Sequence, residues 1–227
     1  MNQSKLYGAG DKIMKLVKDE VISIPTHQLN ILDVGFGDPG SFFLFFHLCP
    51  FNQYWGVDLL EEQKFKLSYP VALIKESGEE CITNGYDSVY VRYCTFYNCI
   101  IKQFNNKVSP LLSEQDFKKI FNFHFEMPVQ QYLTDGVKKD YRPNLLVLSN
   151  FLHCLNDKNE AVNVFSSLID FVSDDCFIFI QVYTEPPLGQ TKLVFTEDDL
   201  KLFDSRLNVK CKYPDGQFTI IAGRKRA

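Results

Sequence analysis

The sequence predicts an α/β domain in which a mostly parallel sheet is covered by helices on both faces and bordered by an antiparallel hairpin. Three observations carry that expectation. Short apolar runs alternate with segments of 3.6-residue hydrophobic period along most of the 227 residues, the pattern of strand–helix–strand crossovers. The run Asn144 to Leu148 is almost continuously apolar, as a strand buried on both faces must be. The last two runs, Val209 to Lys212 and Phe218 to Gly223, are joined across Pro214-Asp215-Gly216, residue types that favour a tight turn.

In chain order, Asp11 to Val21 reads as a helix, with Ile13, Leu16 and Val17 on one face and Asp11 as its N-cap. Asn30 to Val34 is a short strand closed by the glycine-rich turn Gly35-Phe-Gly-Asp-Pro-Gly40. Phe42 to Leu48 is apolar on every side, which marks a helix buried all round. A second strand, Tyr54 to Val57, ends at Asp58. Residues 61–120 read as an insertion in which a helix starts near Glu61 and the aromatic piece Tyr86 to Phe104 packs as one or two helices. A long connection of this kind tends to be functional or to carry its own structure. It is expected to form a lid beside the ligand pocket, with Tyr90, Tyr93 and Tyr97 either governing the acceptor or merely filling core.

Regular alternation then resumes with a strand at Phe121 to Phe125, followed by Asn144 to Leu148. Asp157 and Glu160 form a capping-box pattern ahead of a helix whose face is Ala161, Val164, Phe165, Leu168, Ile169 and Val172. Cys176 to Val182 is a fifth strand, and Thr196 with Asp199 opens the last helix. The chain is expected to be one domain, 1–227, carrying the insertion at about 61–120.

Composition excludes several classes. With 45% hydrophobic residues, 21 Phe and 11 Tyr, the chain has a well-filled interior and is not disordered. A net charge of −4, and no basic block beyond Arg224-Lys225-Arg226, give no footprint of a nucleic-acid binder. The seven cysteines are scattered and contain no C-x-x-C pair, so no metal site is expected and the thiols are read as reduced, in the cytoplasm. The N-terminus lacks the layout of a signal peptide. The most apolar run, Phe42 to Cys49, is too short to span a bilayer.

In Gly35-x-Gly37-x-x-Gly40, glycines let the backbone turn sharply and approach a ligand at the start of the next helix. Asp58 ends the following strand at the distance where a carboxylate can take both ribose hydroxyls of a nucleoside. As a lone residue it reads equally well as a helix N-cap.

These residues resemble a family. Asn30-Ile-Leu-Asp-Val-Gly-Phe-Gly-Asp-Pro-Gly40 is similar to the first motif of class I S-adenosylmethionine-dependent methyltransferases, and Tyr54-Trp-Gly-Val-Asp58 to the second. Asn144 to Leu155 resembles their fourth-strand motif, and Phe218 to Arg224 their inserted antiparallel strand. The likeness fails in 61–120. It implies a Rossmann-like three-layer sandwich with a mostly parallel seven-stranded sheet and a terminal antiparallel hairpin strand. It further implies that Gly35 and Gly37 line the methionine portion of S-adenosyl-L-methionine with Asp33 behind them. Asp58 would hold the ribose with Leu59 beside it, Glu126 and Met127 would flank the adenine, and Asn150 would face the methyl group. The Asp38-Pro39 pair departs from the family's commoner spacing and leaves the role of Gly40 open.

His153 resembles the histidine that deprotonates a hydroxyl in plant-type small-molecule O-methyltransferases, and a histidine is a good base near neutrality. It reads equally as a buried, hydrogen-bonded residue. The expected activity is methyl transfer to a small-molecule acceptor, with no membrane or nucleic-acid partner and a homodimer left open. The rival readings are a non-catalytic cofactor- or partner-binding module of the same fold and an NAD(P)-dependent oxidoreductase.

Overall fold

Apolar alternation along the strands sets which helices go where. The computed structural model describes residues 8–64, 67, 87–136, 142–149, 151–186 and 192–226. Its strands are β1 (Asn30–Val34), β2 (Gln53–Val57), β3 (Phe121–His124), β4 (Leu145–Ser149), β5 (Phe177–Tyr183), β6 (Leu207–Asp215) and β7 (Phe218–Lys225). They form one seven-stranded sheet in the order β3-β2-β1-β4-β5-β7-β6. The first five are mutually parallel, and β7 runs antiparallel to both β5 and β6. Strand order reverses beside β1, between β2 and β4, where an open α/β sheet leaves a crevice at the carboxyl ends of its strands.

One face of the sheet presents Ile31, Tyr54, Phe121, Leu145, Phe177 and Ile220. It is covered by α1 (Ala9–Lys18), α2 (Gly40–Leu48), α3 (Val89–Cys99) and α4 (Glu114–Ile120). The other face presents Leu32, Trp55, Leu146, Ile178 and Ile221. It is covered by the short turn α5 (Val129–Gln131), α6 (Lys158–Phe171) and α7 (Glu197–Ser205). Neighbouring residues of one strand thus serve opposite layers, as the period of two requires.

Helix starts follow their capping chemistry. Ser88, Ser113, Asp157 and Thr196 each accept a backbone N–H of the first turn of α3, α4, α6 and α7. The expected box at Asp157 is altered: the Glu160 carboxylate reaches the backbone of Asn156 instead. The first helix begins at Ala9, with Gly8 as N-cap, so Asp11 lies inside the first turn and is not the cap. The terminal turn is tighter than expected, because Pro214 and Asp215 still pair across the ladder and Gly216-Gln217 makes the reversal at φ +64°.

The segment after β2 also differs from expectation. Its described part holds a 3-10 turn at Glu62–Lys64, then α3, a second 3-10 turn at Ile101–Lys107, and α4. None of the described residues of these elements lines the cavity at the carboxyl ends of the strands. Helix α2 is buried on every side from Gly40 to His47, so its face away from the sheet needs apolar cover. The aromatic spacing of α3 provides it: Tyr93 is fully buried and packs on Phe43 and Phe117 at 5.3 and 4.6 Å between ring centroids. The Tyr93 hydroxyl lies 2.7 Å from His47 Nε2, while Tyr90 and Tyr97 donate to the carbonyls of Leu112 and Ser109. Tyr86 lies outside the described residues.

Five described cysteines carry free thiols. Cys99 is disulfide-bonded, against the expectation that all are reduced. Among the described residues no helix is long and apolar enough to cross a membrane, and no cluster of His, Cys, Asp and Glu could hold a metal ion.

Candidate functional site

A cavity of about 610 Å³ opens at the carboxyl ends of β1, β2 and β4, where the strand order reverses. Its floor is the turn after β1. Gly35 and Gly37 have φ of +70° and +50°, a left-handed backbone that residues with a Cβ avoid. A Cβ on Gly35 would lie 2.9 Å from Phe151, whereas one on Gly37 would meet nothing within 4 Å. Gly35 is therefore small because protein packs on it, and Gly37 because the cavity lies over it.

Gly40 does not line the cavity. A Cβ there would press on Phe96 of α3 at 3.1 Å, and its N–H donates to Asp38 Oδ1 at 2.9 Å. The Asp38-Pro39 departure is thereby explained: Asp38 caps the first turn of α2, and Gly40 lets α3 approach.

Asp58 ties three loops together. Its Oδ2 accepts the Gly37 N–H and its Oδ1 accepts the Leu60 N–H, both at 2.9 Å. Its backbone N–H donates to His124 O, and its carbonyl accepts the Met127 N–H. Each carboxylate oxygen keeps a second lone pair for a ligand. Asp58 lines the cavity, and no described helix begins at it, since the next described element is the 3-10 turn Glu62–Lys64.

Asp33 lines the cavity at 2% exposure. Its Oδ2 accepts the Tyr54 hydroxyl at 2.8 Å, and its Oδ1 is buried without a partner. Burial raises its pKa to about 7, against the hydrogen bond from Tyr54, with the Asp58 charge adding to the rise.

Of the residues singled out from sequence, Asp33, Gly35, Gly37, Asp58, Leu59 and Met127 line the cavity together. Glu126 does not: it occupies a left-handed turn at φ 51° with an exposed side chain, and its backbone N–H donates to Leu60 O. Asn150 lies outside the described residues. His153 is 3% exposed and lies off the cavity, its ring 4.5 Å from that of Tyr183. Burial, with a smaller contribution from Lys192, lowers its pKa to about 4, well below that of a base matched to neutral pH. The structure thus supports the buried reading of His153.

Sequence reasoning missed the N-terminal wall. Gly8 and Ala9 of the α1 start line the cavity beside Ser41. A Cβ on Gly8 or Gly10 would meet Ser41 at 2.5 or 2.6 Å, and the Gly10 N–H donates to Ser41 Oγ. The signal was present in the small-residue run Gly8-Ala9-Gly10. Phe151, Leu155, Gln130 and Glu160 complete the opposite wall.

The sheet order, with β7 inserted antiparallel between β5 and β6, gives the chain the fold of class I S-adenosylmethionine-dependent methyltransferases. Two solved structures illustrate the likeness. The N-methyltransferase NodS from Bradyrhizobium japonicum, in complex with S-adenosylhomocysteine, is 8% identical, with a TM-score of 0.51 over 97% of this chain and 89% of that one. The 1,6-didemethyltoxoflavin N1-methyltransferase from Burkholderia thailandensis, bound to that substrate and to S-adenosylhomocysteine, is 13% identical, with a TM-score of 0.54 over 96% of this chain and 79% of that one. No protein-family model and no curated protein matches the chain.

Proposed function

We propose that this protein is an S-adenosylmethionine-dependent methyltransferase acting on a small-molecule acceptor. The observation that carries the proposal is the cavity at the reversal of the sheet, which gathers Asp33, Gly35, Gly37 and Asp58 in one wall. The residues fit such a ligand: the space above Gly37 is open, Asp58 keeps lone pairs for two hydroxyls, and Leu59 with Met127 offers apolar contact for a base. When bound, S-adenosylmethionine supplies a methyl group on a sulfonium that leaves readily.

The chain's own share is then binding, alignment and exclusion of water. Phe42, Phe151 and Leu155 make the cavity wall apolar where an acceptor would stand. No described histidine lines the cavity, so the reading favours acceptors that need no dedicated base. Glu126 and Asn150 stay in the proposal only as flanks of the adenine and methyl positions.

Nucleic acid is left off the acceptor list. The basic end is engaged within the chain: Arg224 bonds Ser23 Oγ, Lys225 pairs with Asp174 at 3.0 Å, and Arg226 donates to Leu207 O. A cytoplasmic setting rests on the five free thiols, with the Cys99 disulfide as the observation against it. Incubation with methyl-labelled cofactor and a panel of hydroxyl, amine and thiol compounds should yield labelled product from at least one small acceptor. A chain that binds cofactor tightly yet labels none of them would be the non-catalytic module instead.

A further inference from the structure

Lys192 carries a charge that the fold does not neutralise. Its ammonium donates to Cys154 Sγ at 3.1 Å, and among the described residues no carboxylate pairs with it. Lys12, Lys158 and Lys212, likewise withdrawn in part from solvent, each close on a carboxylate, at 2.6, 2.5 and 2.7 Å. Sulfur is a weak acceptor by comparison. Nor is Lys192 adrift in water: its side chain is half-buried, and its charge reaches the His153 ring, where it adds to the effect of burial.

The backbone around Lys192 is pinned in place. Leu193 donates its N–H to His153 O, and Phe195, 1% exposed, donates its own to Tyr183 O. Lys192 is thereby held against the turn after β4 and the end of β5. Its partner Cys154 lines the cavity together with Phe151 and Leu155. The residues proposed for ribose and base, Asp58, Leu59 and Met127, follow β2 and β3. A donor bound on that side has its reacting end toward β4, where Cys154 and Lys192 stand.

The charges around the cavity are segregated. The lining acids Asp33, Asp38 and Asp58 belong to the ends of β1 and β2 and to the glycine turn. Glu160 is the lining acid on the β4 side, and it is engaged. Its Oε2 accepts both the N–H and the side-chain amide of Asn156 at 2.9 Å, at the start of α6, where the helix dipole favours a negative charge. No described lysine, arginine or histidine lines the cavity, so positive charge at this end comes from Lys192 behind Cys154.

We propose that Lys192 is a specificity-determining residue that receives a carboxylate of the acceptor. The substrate class is then a small aromatic acid that also carries the hydroxyl, amine or thiol to be methylated. Without an acceptor, the Cys154 sulfur occupies the ammonium. It yields to a carboxylate because a hydrogen bond between two charged groups is about twice as strong as a neutral one. The flexible four-carbon stem of lysine gives the ammonium its reach past Cys154. Phe42, Phe151 and Leu155 offer apolar contact to the body of such an acid. A single point charge suits a monoanion, and no described arginine lines the cavity to grip a phosphate. The inference rests on the proposed function and adds the charge of the acceptor to it.

Calorimetry on the natural chain saturated with S-adenosylhomocysteine tests it. The probes are benzoate and 3-phenylpropanoate, their neutral amides, and benzylamine. At least one acid should bind about tenfold more tightly than its amide, and benzylamine should bind no better than the amides. Raising the salt concentration should weaken the acid and leave the amide unchanged, because the ion pair is partly exposed. Lys192→Met, which keeps the apolar stem, should bring the acid down to the level of its amide. It should leave the melting temperature and the affinity for S-adenosylhomocysteine unchanged, and Lys192→Arg should restore the preference for the acid. Equal binding of acids and amides, a preference for benzylamine, no binding of either acid, or an acid preference that survives in Lys192→Met would overturn the proposal. If S-adenosylhomocysteine itself does not bind, the proposed function fails; if it binds and no acid is preferred, this inference alone fails.

Discussion

Gly35 and Gly37 share a left-handed backbone and differ in what lies over them, and their alanine variants should separate accordingly. At Gly35 the new methyl meets Phe151 at 2.9 Å with φ at +70°, so strain and overpacking add to a loss of about 2–4 kcal/mol of stability. At Gly37 nothing stands within 4 Å, so stability should fall by only about 1 kcal/mol. The methyl then occupies ligand space, and S-adenosylhomocysteine should bind about tenfold more weakly. Denaturation and calorimetry on the two variants check the contrast; equal losses of stability would mean that Gly37 is also packed by protein. These positions were legible in the sequence because positive φ and close approach demand glycine. His153 was not. The run Leu152-His153-Cys154 says that an imidazole follows the fourth strand, but only tertiary packing decides that it turns toward Tyr183 and away from the cavity.

Among the elements, α1 and α3 were the hardest to read. The aromatic periodicity of α3 was plain, but its partner was not, and a helix buried on all sides is what called for it. The sequence of α2 thus held the reason why Tyr93 is core, one step removed from Tyr93 itself. For α1, apolar spacing marked the helix and missed its start, since small residues that fit against Ser41 have no hydrophobic signature. The same helix is anchored at Lys12, 7% exposed, which bonds Gln181 on β5 and Asp215 at the end of β6. Because Asp215 is 42% exposed, water compensates part of the loss when the lysine is removed. Lys12→Ala should therefore cost about 1–2 kcal/mol, short of the penalty for breaking a fully buried pair. Ala9 lines the cavity one turn away, so ligand affinity should fall as well. Calorimetry that shows stability reduced and affinity unchanged would detach α1 from the binding wall.

For the whole molecule, buried titratable groups pull stability in opposite directions with pH. His153, lowered to about 4, and His47 and His124, lowered by burial, hold fewer protons folded than unfolded. Their contribution is complete above about pH 6.5 and is lost as pH falls toward the folded values. Asp33, raised to about 7, keeps a proton that the unfolded chain has released. Its folded state is penalised above pH 7 and recovers as pH falls toward about 4. Without ligand, Asp33→Asn should be more stable than the natural chain by on the order of 3 kcal/mol at pH 8. The margin should close near pH 4, as read by chemical denaturation across that range. A constant margin would mean that Asp33 is ionised throughout. The sheet, which carries Asp33 and His124, was the most legible feature of all, because apolar strands buried on both faces and a terminal hairpin leave few alternatives. The identity of the acceptor was not legible, since aligning two reactants needs shape more than any fixed set of residues.

The central claim is that the cavity takes the amino-acid nucleoside of a methyl donor, and one titration tests it most directly. Calorimetry of the natural chain at pH 8 with S-adenosylhomocysteine and, separately, with NADH should give micromolar binding of the first, about −8 kcal/mol, and none of the second. The Asp58→Ala variant should lose about 1.5–3 kcal/mol of that affinity, as expected for a charged acceptor of two hydroxyls. Absence of S-adenosylhomocysteine binding at millimolar concentration, or preference for NADH, would contradict the account.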